Sequence, residues 1–150
     1  MAAQHGARTA GGAVMTTVPA QTTTHPNVGT LRAVYAELPR IAEFATEDIV
    51  LHRADRTPEN PHALRGVEAA LAHERALVRM TGDTLVMDVA QISANDHFGT
   101  VIGVLRATSP REIAMPFCGL WRFVDGRLAE HWENAYDPAA LRDLFAPPAA

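Results

Sequence analysis

Apolar residues recur along this chain with two different periods, and the change of period divides it. Leu31, Val34, Tyr35 and Leu38 stand at i, i+3, i+4 and i+7. That is the single stripe of an amphipathic helix, beginning near Asn27 to Thr30 and stopped by Pro39. Ile41, Ala42, Phe44 and Ala45 predict a short second helical piece, and Ile49 to Arg53 a short strand. Gly66 to Met80 reads as a second full helix, with Val67, Ala70, Leu71, Leu77 and Val78 on one face and Gly82 as a C-terminal cap. The period then falls to two. Thr84–Ser93, Phe98–Ala107, Glu112–Val124 and Arg127–Ala135 predict four strands, punctuated by Asn95-Asp96, Ser109-Pro110 and Asp125-Gly126. Asp137-Pro138 opens a last short helix.

Helices ahead of an antiparallel meander define an α+β fold, not a doubly wound one. A strongly curved sheet with helices across its concave face would enclose a pocket for a small ligand. The loop from Ala54 to Ala63, rich in Pro and polar residues, is the longest irregular stretch between elements and is expected at the pocket rim. Residues 1–26 have almost no large apolar side chains and predict a disordered tail without the pattern of a secretory signal. The predicted domain is residues 27–146, with 147–150 as a second tail.

Composition narrows the functional classes. With 150 residues, 47% hydrophobic, the chain can bury one core. A net charge of −4 without a basic stripe argues against nucleic acid, and no apolar run is long enough for a membrane span. The single cysteine, Cys118, forms no internal disulfide and fits a reducing, cytoplasmic setting.

Most of the chemistry lies around one turn. Asp125-Gly126 between two apolar runs predicts a hairpin, and its second strand carries His131 and Glu133 two residues apart, on one face. A paired imidazole and carboxylate can move a proton, or can be a solvated strand edge or an ion pair with Arg122. Glu130, Trp132 and Asn134 fall on the other face. Trp121 shares a face with Phe117, Gly119 and Phe123, as a pocket wall or as plain core. His52 and Arg53 lie on opposite faces of the first strand, so only one points inward: His52 as a second acid/base, or Arg53 as a partner of Glu133 or a clamp on an anion. His97 stands at a strand entrance, Asp55 and His62 in the loop, and His73 on a helix, where it is expected to be exposed. No compact metal-ligand motif, phosphate loop, GxSxG or dinucleotide fingerprint occurs, so neither metal nor cofactor is expected.

The segment from Trp121 to Glu133, WRFVDGRLAEHWE, resembles the C-terminal hairpin of SnoaL-like polyketide cyclases, within the nuclear transport factor 2-like superfamily. "EDIVLHR", "GVEAALAH" and the ending "HWENAYDPAALRDLF" extend the resemblance over roughly residues 27 to 146. It implies a cone-shaped, curved antiparallel sheet with N-terminal helices over its concave face, and a homodimer joined through the sheet. It also implies cofactor-free cyclase, dehydratase or isomerase chemistry on an apolar, oxygenated, polyketide-like substrate. The alternatives are a non-catalytic ligand-binding or dimerisation module, or epoxide-hydrolase-like activation of water. The family's strand aspartate, three positions before Arg122, is here Gly119, and the Arg and Asp of the epoxide hydrolases fall on Val101 and Gly103. What carries over is the acidic position at Glu133, the pocket-facing His131, and the inward polar position at Arg53 beside His52. His131, Glu133 and His52 are thus the expected catalytic residues. Arg53, Trp121, Phe117, Tyr35 and His97 are the expected substrate contacts.

Overall fold

The computed structural model describes residues 25–61 and 63–145. The expected tails, apart from His25 and Pro26, and also His62, lie outside the described residues. Helix α1 spans Pro26–Ala36; Pro26 occupies its first turn and the His25 ring caps it by accepting from the Asn27 N–H. A 3-10 turn at Leu38–Arg40 leads into a one-turn helix α2, Ile41–Phe44, and then strand β1, Ala45–His52. Strand β2, Ala63–Arg65, is a three-residue strand at the end of the expected loop, where the sequence reading placed none; its backbone pairs with Val50, Leu51 and His52 of β1. Helix α3 is Val67–Met80, and the meander follows as β3 Val86–Ala94, β4 Phe98–Ala107, β5 Ile113–Val124 and β6 Arg127–Trp132, before α4, Pro138–Phe145.

The six strands form one curved, open sheet in the order β2-β1-β6-β5-β4-β3. The meander is antiparallel as expected. The β1–β6 pair is parallel, so the sheet is mixed. This pairing brings the two strands richest in polar candidates side by side, with Leu51 opposite His131. The Asp125-Gly126 turn has φ of 49° and 77°, the double positive geometry of a tight hairpin turn. Ala129 is an extra residue in β6: Arg122 pairs with Glu130 but Phe123 pairs with Leu128. The bulge turns both Leu128 and His131 to the inner face.

The inner face meets α1, α3 and α4. Leu31, Ile49, Leu51, Val101, Trp121 and Leu128 are almost fully buried there. On the outer face Phe98, Ile102 and Val124 are between 43% and 49% exposed.

Candidate functional site

Between the inner face and the helices lies an apolar cavity with one polar end. Its empty space is about 910 Å³ including its open mouth. Leu77, Met80, Leu85, Leu105, Ile113 and Leu144 line the apolar part, while His73, Glu74, His131 and Glu133 form the polar end. Strand alternation and helix phase deliver these four. β6 and its continuation place His131 and Glu133 on one face, as their spacing predicted, and that face is the one that lines the cavity. α3 supplies His73 and Glu74.

Glu133 is held from several sides. His73 Nε2 lies 2.9 Å from its Oε1, and the Ala54 N–H donates to the same oxygen at 3.2 Å. The Arg56 guanidinium donates to the carbonyls of Glu133 and Arg53, tying the loop after β1 to the end of β6. Burial alone would raise the Glu133 pKa, but the His73 hydrogen bond and charge hold it below the usual carboxylate range. Burial likewise opposes charge on His73, and the Glu133 carboxylate outweighs it, so His73 titrates above an ordinary histidine. Glu133 is therefore ionised at neutral pH, and its charge favours the imidazolium form of His73. The expectation that His73 is exposed is corrected: its side chain is only 8% exposed.

His131 is 4% exposed and stacks on Trp121, with ring centroids 3.5 Å apart. Its Nδ1 is 3.1 Å from the Leu120 carbonyl, which only accepts, so Nδ1 carries the proton and Nε2 the lone pair. Burial drives its pKa down to about 4, which keeps the ring neutral.

Glu74 was not recognised in the sequence, although a signal was present. It completes the stripe of Val67, Ala70, Leu71, Leu77 and Val78 at a position that should be apolar. It is 3% exposed and lines the cavity. Burial and the nearby Glu133 carboxylate raise its pKa to about 8. Ligand-type atoms of Glu74, His131 and Glu133 all lie within 4.8 Å of one another. A point no more than about 2.8 Å from all three therefore exists, 4.8 Å divided by √3. At that full spacing the triangle fits a hydrogen-bonded oxygen. With the three atoms closer together the same cluster has the size of a metal site, zinc lying at about 2.0–2.2 Å from each ligand.

Gly119, the position of the missing aspartate, has a clear steric cause. A Cβ there would lie 2.1 Å from the Tyr35 hydroxyl, which accepts from Trp121 Nε1 at 3.1 Å. The tyrosine oxygen thus occupies the space of a side chain at 119. Burial pushes the Tyr35 pKa up, so the hydroxyl keeps its proton. Gly119→Ala is expected to cost about 1–3 kcal/mol by overpacking, read as a lower urea midpoint, with partial recovery on adding Tyr35→Phe. An unchanged midpoint for the single variant would refute this account.

The other sequence candidates divide. Tyr35, Phe117 and Trp121 line the cavity. Arg53 lies just beyond β1 and forms a two-point ion pair with Asp55, itself a cavity residue; the partner of Glu133 is His73. His52 is taken out of the site. Parity turns it to the outer face, where it stacks on Trp132 and bonds Glu130 at 2.7 Å. His97 is also removed: it is exposed in the β3–β4 turn and does not line the cavity. Arg122 pairs with Glu130, not with His131 or Glu133.

A model of the SnoaL-like domain matches residues 33–131, about two thirds of the chain. The chain belongs to the SnoaL-like domain family. No curated protein matches the chain. Among solved structures, Bal32a from a soil-derived mobile gene cassette aligns at TM-score 0.69 with 21% identity, covering 80% of this chain and 96% of that one. A candidate SnoaL-like polyketide cyclase from Jannaschia sp. CCS1 aligns at 0.66 with 18% identity, over 85% and 99%. IdmH, a candidate polyketide cyclase from Streptomyces antibioticus, aligns at 0.62 with 21% identity, over 81% and 100%. At these identities the structural likeness establishes the SnoaL-like fold alone. Among the described residues no helix is long and apolar enough to cross a membrane.

Proposed function

We propose that this SnoaL-like protein is a cofactor-independent enzyme that moves protons on an apolar, oxygenated small molecule, as a cyclase, dehydratase or isomerase acting in the cytoplasm. One observation carries the reading: His131, Glu133 and Glu74 converge within 4.8 Å at the polar end of an apolar cavity. His131 serves as the base through Nε2; a neutral ring with a depressed pKa accepts a proton and does not begin as an acid. Glu133, fixed by His73 and the Ala54 N–H, stabilises the imidazolium as it forms. Tyr35, Phe117 and Trp121 hold the apolar skeleton.

The test uses exchange of the α-protons of apolar ketones and β-hydroxyketones in D₂O, followed by proton NMR. His131→Phe keeps the stack on Trp121 and removes Nε2. Exchange is expected to fall about 10²–10⁴-fold. Equal exchange by the wild type and His131→Phe would remove His131 from the mechanism.

The outer sheet face supports a second part of the proposal, a homodimer. Phe98, Ile102 and Val124 are too exposed for a sheet face left in water, and Leu120 and Trp132 adjoin them. Sedimentation is expected to show a dimer that Ile102→Glu converts to monomer; a wild-type monomer at all concentrations would end this part.

A further inference from the structure

Glu74 is a buried carboxyl with no hydrogen-bonding partner among the described residues. It faces the cavity and lies within 4.8 Å of a second, partly buried carboxylate, Glu133. Two carboxylates so placed have one imidazole between them, His73, and it is hydrogen-bonded to Glu133, so a second negative charge at Glu74 would go unbalanced in a poorly hydrated site. Glu133 is the one that keeps its charge: His73 and the Ala54 N–H both stabilise it. Glu74 has neither contact and is left with the proton. Tyr35, the other titratable side chain on this wall, stays protonated as well.

We infer that Glu74, His131 and Glu133 form a subsite for one uncharged oxygen atom, that Glu74 gives the hydrogen bond to it, and that the ligand is a neutral hydroxyl or carbonyl compound, not a carboxylate. The size of the triangle is compatible with this, since a point within about 2.8 Å of all three groups exists, inside the reach of a hydrogen bond. The charge supports it. The neighbouring cations are engaged: His73 by Glu133, Arg53 by Asp55, Arg56 by backbone carbonyls. An incoming carboxylate would meet Glu133 with no cation placed to balance it. A hydroxyl or carbonyl oxygen instead accepts from Glu74, and a hydroxyl also donates to His131 Nε2 or Glu133. The high pKa of Glu74 agrees with this placement of the proton.

This inference deepens the proposed acid/base reading and rests on it only for turnover. In an enolisation His131 Nε2 would take the carbon-bound proton. The electron pair of that C–H bond forms the carbon–carbon double bond, and the carbonyl oxygen takes the proton of Glu74. The reverse transfers restore both groups, so no other reactant is needed.

The test compares 2-naphthol with 2-naphthoate, one ring system carrying a neutral oxygen or a carboxylate, by calorimetry at pH 7. The wild type is expected to bind 2-naphthol at least tenfold more tightly. Glu74→Leu should weaken 2-naphthol about tenfold, and Glu74→Gln, which keeps a donor, less than threefold. Carbon-13 NMR of protein labelled at the Glu side-chain carboxyls should show Glu74 protonated at pH 7. Equal or tighter binding of 2-naphthoate, indifference of 2-naphthol to Glu74→Leu, or an ionised Glu74 at pH 7 would each overturn the inference. If the naphthol results hold while no ketone exchanges protons, the subsite stands and the catalytic reading fails.

Discussion

Replacing Glu133 by alanine is expected to lower folding stability by about 1–3 kcal/mol, the cost of leaving partly buried hydrogen-bonding groups without their partner. His73 and the Ala54 N–H would both lose their acceptor. The His73 side chain, 8% exposed, would then be held by burial toward its neutral form. The loss is read as a lower urea midpoint at pH 6 with little change in slope. A second signature follows from coupling: without the Glu133 charge, the Glu74 pKa moves back toward the ordinary carboxylate range. A Glu133→Ala variant within 0.5 kcal/mol of wild type would show that the pair is not held as described.

Glu74→Gln has the opposite sign at alkaline pH. The Glu74 pKa is about 8 in the folded protein against 4.5 as the ordinary value. Between those values the folded state binds more protons than the unfolded one, so stability falls as pH rises. At about 1.36 kcal/mol for each unit, the full loss is about 5 kcal/mol. Glutamine does not titrate. The variant should therefore gain up to about 5 kcal/mol on wild type between pH 4 and pH 9. His73 acts in the same direction: its raised pKa gives stability that is complete below about pH 6.5 and is lost as pH rises through the folded value. His131, lowered to about 4 from 6.5, works the other way, since the unfolded state binds the extra proton and stability is lost as pH falls from 6.5 toward 4. Glu133, with its depressed pKa, adds to the loss on the acid side, below about pH 4.5. From pH 4.5 to 6.5 the Glu74 and His131 trends oppose each other. Wild-type stability should accordingly be flattest there and decline on both sides. Chemical denaturation across pH 4 to 9 measures both curves. Parallel curves for wild type and Glu74→Gln would show that folding leaves the Glu74 pKa unshifted.

The placement of individual side chains shows how far pattern reading reaches. His131 and Glu133 were legible because strand alternation is local: two residues apart means one face, and the Asp-Gly turn fixed the strand that carries them. Tyr35 was legible because helix phase is equally local. His52 and Arg53 differ by one residue, so which faced inward depended on the pairing of β1 with β6, a contact across almost eighty residues. His73 and Glu74 were missed for a related reason. A histidine on a helix is exposed by default, and nothing in α3 alone reveals that it packs against the Glu133 carboxylate just beyond β6. The glutamate in an apolar stripe was the available warning.

By itself the sequence determined the order of the elements other than β2, the α+β class, the family and the shared face of His131 and Glu133, because periods of 3.6 and 2 and tight-turn residues act over a few neighbouring positions. Only the tertiary structure decided the chemistry of the site. It placed the Tyr35 hydroxyl where a side chain at Gly119 would stand, turned His52 outward onto Trp132, and set Glu74 and His73 against Glu133. The physical reason is that charge and proton occupancy depend on burial and on partners far away in the chain, and no local period encodes either.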